Sequence, residues 1–202
     1  MSRQSATQGP PALSPLRDPG AWKFQPVIHQ DSRGSVAEWF RDDALQAATG
    51  RSLRLMQANV SVSKRGALCG IAFADVPPGQ AKYVTCVRGA VLDVVVDLRG
   101  ALPFGTWHMV RLDADNHTRV FLSEGLAHAF LSFEDDSVLF YLLSQAHALA
   151  CEHSVHPLDP EIGTGWPAGI DPVLSAKDAS APSLRQAMDA DVLPQSAACA
   201  ST

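Results

Sequence analysis

The sequence predicts an all-β protein, a jelly-roll β-barrel with a few short helices. Chain-breaking residues recur at short intervals, as expected for brief strands joined by turns. The segments between them are rich in β-branched and aromatic residues, and one alternates with a period of two. Because many short strands must close or stack to protect their edges, a barrel is the expected architecture.

The turns and strands follow one another along most of the chain. Clusters of Gly, Pro, Asp and Ser mark turns at residues 31–34, 65–66, 77–79, 88–89, 99–100, 103–105, 124–125 and 134–136. The clearest strand candidates are residues 82–87, 91–98, 118–122 and 137–143. Their lengths are those of ordinary sheet strands.

The segment 91–98 alternates most regularly. Asp93 and Asp97 share one face of this strand, and Leu92, Val94, Val96 and Leu98 form the other. The pattern predicts a sheet with one polar face. We expect one aspartate to be solvated on the barrel surface and the other to pair with Arg88 or Arg99.

Helices and tails complete the organisation. Residues 41–49 have the apolar spacing of a helix, and residues 183–188 form a plausible second helix capped by Ser183. Residues 1–20 are poor in bulky apolar groups and predict a disordered leader. The expected domains are therefore the leader, a barrel over residues 21–182, and a short helix with a loose tail over residues 183–202.

Composition excludes several classes of function. The chain has 202 residues, 46% of them hydrophobic, which is enough for one substantial core. A net charge of −5 offers no basic surface for nucleic acid or an anionic membrane. No apolar run approaches the roughly 20 residues of a membrane span, and the N-terminus lacks the apolar core of a signal peptide. These features predict a cytoplasmic protein whose cysteines are thiols.

One region carries a family resemblance. Gly66-Ala67-Leu68-Cys69-Gly70-Ile71-Ala72-Phe73, followed by Pro77-Pro78 and Gln80-Ala81-Lys82, resembles the active-site strands of the dTDP-4-dehydrorhamnose 3,5-epimerase family. Further matching motifs extend the resemblance over residues 21–182. They include Asp31-Ser32-Arg33-Gly34, Ser123-Glu124-Gly125-Leu126-Ala127-His128, Asp159-Pro160 and Trp166-Pro167. The resemblance implies a cupin-type jelly roll, a homodimer, and a dTDP-linked 4-keto-6-deoxyhexose handled without metal or cofactor.

The resemblance also implies roles for individual residues. Lys82 would stabilise an enolate oxygen, Tyr141 would return a proton, and Asp159 would support the catalytic histidine. That histidine is absent, because Ala72 stands in its place and has no titratable atom. Cys69 stands where the family has the arginine that grips the diphosphate, and a thiol cannot imitate its planar charged fork.

The remaining pocket positions are kept or altered individually. His147 occupies the place of a family tyrosine and is either a relocated base or a loop histidine in solvent. Cys69 is an alternative nucleophile, although nothing in the sequence indicates a lowered pKa. Ligand-contact positions that match the family in type are Arg33, Glu38, Gln57, Asn59, His128 and Glu152. The histidines lack the spacing of a cupin metal site, so no metal is expected.

These observations predict an isomerase-type enzyme that moves protons next to a carbonyl of a small molecule. Since a general base contributes about 10²–10⁴ in rate, standard 3,5-epimerisation should be weak or lost. Two alternatives stay open. One is a cupin that isomerises or cyclises a non-sugar natural-product intermediate, and the other is a non-catalytic binding or scaffold protein.

Overall fold

The computed structural model describes residues 12–17, 20–99 and 106–195, and within these ranges it is a two-sheet jelly roll. The predicted turn at 103–105, residue 100 of the turn predicted at 99–100, and the outer parts of both predicted tails lie outside the described residues. The strands are β1 (Ala12–Pro15), β2 (Ala21–Gln25), β3 (Ile28–Asp31), β4 (Gly34–Ala37), β5 (Gln57–Ser63), β6 (Leu68–Ala74), β7 (Lys82–Arg88), β8 (Ala90–Asp97), β9 (Thr106–Asp113), β10 (Arg119–Leu122), β11 (Leu126–Ser132), β12 (Ser137–Leu143) and β13 (Glu152–Ser154). The predicted all-β fold is confirmed.

The strands form two large antiparallel sheets and one separate hairpin. The first sheet has the order β1-β2-β10-β7-β12-β5, and the second has the order β13-β6-β11-β8-β9. Strands β3 and β4 pair only with each other in the described part of the chain. Three short helices are α1 (Asp42–Thr49), α2 (Ala176–Ala179) and α3 (Leu184–Asp189). The helix predicted at 41–49 is confirmed.

The two large sheets enclose the main apolar core. Inward side chains from β7, β8, β9, β10 and β12, such as Val84, Val95, Leu112, Val120 and Leu139, are buried together there. Burial of these branched aliphatic groups is the principal force that holds the sheets face to face. Among the described residues, no helix is long and apolar enough to cross a membrane.

Part of the outer face of each sheet is covered by the chain's own segments. Helix α1 and the aromatic residues before it pack on the first sheet, with Leu45 only 1% exposed. The C-terminal segment packs on the second sheet, where Leu184 and Ala187 of α3 join Val94 and Val96. Both faces of strand β8 are therefore apolar-packed, and the predicted polar face is wrong.

The expected chain ends also need correction. Residues 12–15, placed in a disordered leader by the sequence, form β1 and pair with β2, and Leu16 packs against the main core. Backbone pairing orders this stretch although its side chains are small. The predicted C-terminal helix is confirmed as α3, and Ser183 forms a capping box with Gln186 at its start. This helix is part of the packed domain.

Candidate active site

A cavity of about 190 Å³ opens between the two sheets at one end of the barrel. Strands β5, β6, β7, β11 and β12 and the segment after β12 supply its walls. The residues that line it are Asn59, Cys69, Gly70, Ala72, Gln80, Lys82, His128, Phe130, Leu139, Tyr141, Leu143, His147 and Glu152. The cavity therefore brings together eight of the predicted site residues: Asn59, Cys69, Ala72, Lys82, His128, Tyr141, His147 and Glu152.

A bulge in β6 turns Cys69 and Ala72 toward the cavity. The pairing of β6 with β11 changes register between His128 and Phe130, and Gly70 lies at this point with φ +105°. A Cβ added to Gly70 would lie 2.4 Å from the carbonyl oxygen of His128. Glycine is therefore required by both its backbone angle and the close approach. Side chains three positions apart normally lie on opposite faces of a strand. The extra residue of the bulge places Cys69 and Ala72 on the same wall of the cavity.

Lys82 begins β7 and directs its ammonium group into the cavity. Burial lowers the pKa of Lys82 below its ordinary value, while the carboxylates of Glu152 and Asp93 oppose this effect. A cation in a site of low dielectric interacts strongly with charge that develops nearby. Tyr141 is on the adjacent strand β12, where it pairs with Val84 of β7 and Asn59 of β5. Its hydroxyl group belongs to the same cavity.

A buried histidine–aspartate pair forms the back of the site. His128 Nε2 lies 2.6 Å from Asp93 Oδ2, and the Asp93 side chain is fully buried. The expectation that Asp93 is a solvated surface residue is wrong, since its strand face points into the barrel. Asp97, on the same face near the strand end, pairs with Arg99 at 2.8 Å as expected. Sequence reasoning missed Asp93, although an aspartate in an otherwise apolar strand was a signal for a buried partner.

A second histidine–carboxylate pair lies at the cavity mouth. His147 Nδ1 makes a direct, very short contact with Glu152 Oε1. The other oxygen of Glu152 is 4.0 Å from Lys177 Nζ. The His147 side chain lies in the loop after β12 and is 43% exposed, and it is also oriented by a carboxylate, so its role as a relocated base stays a prediction.

Polar side chains of β5 anchor the loop that carries His147. The backbone N–H of His147 donates to Gln57 Oε1 at 2.8 Å. The Gln57 amide in turn donates to Asn59 Oδ1 at 2.8 Å. Gln57 is thus behind the cavity wall, whereas Asn59 is part of it. Both residues were predicted as ligand contacts, and the structure gives Gln57 a positioning contact.

Asp159 is not in the cavity lining. Its Oδ1 accepts the backbone N–H of Glu161 at 2.7 Å, and its Oδ2 accepts the N–H of Leu184 at 2.8 Å. The side chain thus ties α3 to the preceding loop. Both carboxylate oxygens have backbone partners, and the support of a catalytic base by Asp159 stays a prediction.

Arg33 and Glu38 also lie away from Lys82. Arg33, at the tip of the β3–β4 hairpin, is exposed and pairs with Asp31 at 2.6 Å. Glu38 lines a larger cavity of about 800 Å³ on the outer face of the first sheet, together with His29, Tyr83 and Arg119. None of the histidine–carboxylate pairs seen among the described residues lies in this larger cavity. Within one chain the structure does not bring Arg33 and Glu38 to the predicted site.

Cys69 is a neutral wall residue. Burial, together with the charge of Asp178, raises the pKa of the Cys69 thiol to about 11. The thiolate needed for nucleophilic attack is therefore scarce at neutral pH. The nucleophile alternative finds no support. In the described part of the chain no group of three or more His, Cys, Asp or Glu side chains is arranged to hold a metal ion.

The fold and this cavity together define a class of protein, the cupin-type jelly-roll enzymes that act through side-chain acids and bases. The sequence model of the dTDP-4-dehydrorhamnose 3,5-epimerase family matches residues 16–186. The chain belongs to this family, and it is accordingly an enzyme of the isomerase class.

Individual relatives are similar over nearly their whole length. A dTDP-4-dehydro-6-deoxyglucose 3-epimerase from Streptomyces bikiniensis is 51% identical over 183 residues, which cover 90% of this chain and 93% of the relative. The crystal structure of NovW, a 4-keto-6-deoxy sugar epimerase of Streptomyces spheroides, superimposes with a TM-score of 0.91 at 49% identity, covering 98% of this chain and all of NovW. ChmJ, a 3'-monoepimerase from S. bikiniensis in complex with dTDP-quinovose, has a TM-score of 0.88 at 51% identity, covering 91% and 93% of the two chains.

Proposed function

We propose that this chain is an isomerase that exchanges a proton next to the carbonyl of a dTDP-linked 4-keto-6-deoxysugar. The observation that carries the proposal is the convergence of Lys82, Tyr141 and two carboxylate-oriented histidines on one cavity. A carbon next to a ketone gives up a proton readily when a fixed cation or hydrogen-bond donor stabilises the developing enolate oxygen. Lys82 supplies that cation, and the Tyr141 hydroxyl is a proton donor within the same space. The names of the relatives support the substrate class.

The proposed activity differs from standard two-centre epimerisation. Ala72 contributes no base from β6, and the Asp159 carboxylate, which lies outside the cavity lining, accepts two backbone N–H groups. Inverting two carbons requires deprotonation at each of them. We therefore expect exchange at C3 and C5 to be unequal, with inversion at both carbons weak or lost.

Deuterium incorporation tests the proposal. The full-length protein is incubated with dTDP-4-keto-6-deoxyglucose in D₂O, and deuterium at C3 and C5 is measured by NMR. We expect enzyme-dependent incorporation that is dominated by one carbon. Rapid incorporation at both carbons would contradict the proposed weakening, and no incorporation at either would overturn the proposed substrate.

A second candidate function, isomerisation or cyclisation of a substrate without a nucleotide, is favoured by one observation. Cys69 carries no charge at neutral pH, so this wall offers no fork for a diphosphate. Thermal unfolding with millimolar dTDP separates the two candidates, because a ligand that binds only the native state raises the melting temperature. A clear rise supports the nucleotide-sugar substrate, and no rise favours the second candidate.

We also propose a homodimer. Arg33 and Glu38 match the family's ligand contacts, yet in one chain they lie apart from the cavity. If each chain contributed its β3–β4 hairpin to the cavity of a second copy, Arg33 and Glu38 would belong to a site in the dimer. Val36 on this hairpin is 66% exposed, and Val60 and Val62 on edge strand β5 are 64% and 66% exposed, which is unusual for a monomer's surface. Light scattering at micromolar concentration should give twice the chain mass. The cytoplasmic location expected from the sequence stays a prediction.

A further inference from the structure

We infer that His147 and Glu152 are the acid–base pair of this cavity, with His147 as the proton acceptor that Ala72 cannot be and Glu152 as its positioning residue. This inference rests on the proposed function and names the group that performs its first step. It draws on the contacts of the segment after β12.

The geometry leaves the outer ring nitrogen of His147 available. Glu152 contacts Nδ1, and no hydrogen bond engages Nε2 among the described residues. A carboxylate on Nδ1 favours the tautomer that carries its proton there, so Nε2 presents a lone pair. Nε2 is also the nitrogen furthest from the backbone. It is therefore the better placed of the two to meet a ligand.

The pair is held from both sides. The His147 backbone N–H is bonded to Gln57 at 2.8 Å, so the loop is fixed to β5. Glu152 opens β13, which pairs with β6 opposite Ala74, and its side chain is only 14% exposed. An anchored acceptor loses little entropy when the substrate arrives. These contacts hold His147 in position before the substrate binds, as a general base requires.

The groups of this cavity, together with water, account for every proton and electron pair of the reaction. His147 Nε2 takes the proton from the carbon next to the carbonyl, and the C–H electrons form the enolate. The enolate oxygen faces the Lys82 ammonium, whose charge stabilises it. When Tyr141 returns a proton to the carbon, the enolate collapses to the ketone. The phenolate and the imidazolium then regain their starting states by proton exchange with water.

His128 is the rival base, and its geometry is less favourable. Its Nε2 is occupied by Asp93 at 2.6 Å, so the remaining nitrogen is Nδ1, next to its own Cβ. The His128 side chain is 12% exposed, against 43% for His147. His128 fits the role of a fixed residue in the cavity wall that contacts the substrate. It does not extend a free nitrogen into the opening.

Deuterium incorporation by matched variants tests the assignment. His147→Gln should lose at least about 10²-fold in exchange rate, because a general base typically contributes that much or more. His153→Gln is the control, since His153 forms a similar pair with Asp75 at 2.6 Å but is not part of the cavity lining. It should exchange like the wild type. Exchange by His147→Gln at the wild-type rate, with a loss in His128→Gln instead, overturns the assignment.

A spectroscopic readout tests the positioning role of Glu152 without substrate. In ¹⁵N NMR spectra, neutral His147 should have its proton on Nδ1 in the wild type and lose that preference in Glu152→Gln. The same variant should show a reduced exchange rate, and Glu152→Asp should recover part of it. A wild type without any exchange would overturn the proposed function and the inference with it. Normal wild-type exchange that is insensitive to both His147 and Glu152 would overturn the inference alone.

Discussion

The two walls of the cavity differ in the chemistry that they offer. The β6 wall presents Cys69, Gly70 and Ala72, which are small and uncharged. The wall formed by β7, β12 and the following segment presents Lys82, Tyr141, His147 and Glu152. Both walls belong to the same barrel. The acid–base side chains are therefore concentrated on the second wall.

This contrast argues against a scaffold that has simply shed its chemistry. A lysine whose pKa is lowered by burial costs folding free energy, and so does the fully buried carboxylate of Asp93. A protein without catalytic duties would lose little by replacing them with apolar groups. Their presence beside the small β6 wall is the pattern expected if, as we propose, proton transfer uses the opposite wall of the cavity.

The largest expected effect comes from restoring the β6 wall. Ala72→His should raise deuterium exchange at the slower carbon, by up to the roughly 10²–10⁴-fold that a general base contributes. We expect the lower end of this range. Asp159, which would orient the new histidine, already has both carboxylate oxygens bound to backbone N–H groups. NMR of the substrate in D₂O measures the rate at each carbon.

Ala114→His is the control for this gain. Ala114 lies in the turn after β9 and is not part of the cavity lining. A histidine there should leave exchange unchanged. An equal gain from both variants would show that the effect does not depend on the cavity, and the comparison of the two walls would lose its basis.

The next largest effect is expected on the wall formed by β7, β12 and the following segment. Lys82→Met should lower the exchange rate by about 10²–10³-fold, as when a single oxyanion-stabilising group is removed. Lys64→Met is the control, since Lys64 is exposed and outside the cavity. A rate unchanged in Lys82→Met would remove Lys82 from the mechanism.

The pH dependence of exchange gives Lys82 a second signature. Only the protonated ammonium stabilises the enolate, and it is lost as the pH rises through its pKa. Burial holds this pKa below the ordinary 10.5, so the alkaline decline should begin at lower pH than for an exposed lysine. Lys82→Arg should shift the decline to higher pH, because arginine stays protonated. Identical alkaline limbs in both proteins would assign the decline to another group.

The sequence could predict the barrel but only part of the site. Period-two segments and turn residues specify strands, and the positions of Lys82, Tyr141 and Glu152 follow from motifs. The polar face assigned to Asp93 and Asp97 was wrong, because the face of Asp93 also carries Val91 and Val95 and points into the core between the sheets, and this stacking depends on contacts distant in sequence. The Asp93–His128 and His147–Glu152 pairs likewise join different strands or a strand and a loop. Such pairs arise from closure of the barrel, which a local pattern does not specify.

A smaller effect is expected from the diphosphate position. Cys69→Arg should tighten dTDP binding by roughly tenfold or more, since hydrogen bonds to a charged group contribute about 1.5–3 kcal/mol. Cys69→Ser keeps the wall neutral and should leave affinity unchanged. Isothermal titration measures both. Equal affinities for the arginine and serine variants would show that Cys69 does not face the diphosphate.

The smallest catalytic effect is expected at Asp159, which matches a family site residue but ties α3 to the barrel. Asp159→Asn keeps one acceptor oxygen and leaves one of the N–H groups of Glu161 and Leu184 without its partner. The free energy of unfolding should fall by about 1–3 kcal/mol, the cost of an unsatisfied buried donor. The exchange rate of the folded protein should stay within about twofold of the wild type. Urea unfolding and deuterium exchange on the same preparation separate the two roles. A large loss of exchange with unchanged stability would return Asp159 to the catalytic machinery and place a working base beside β6 after all.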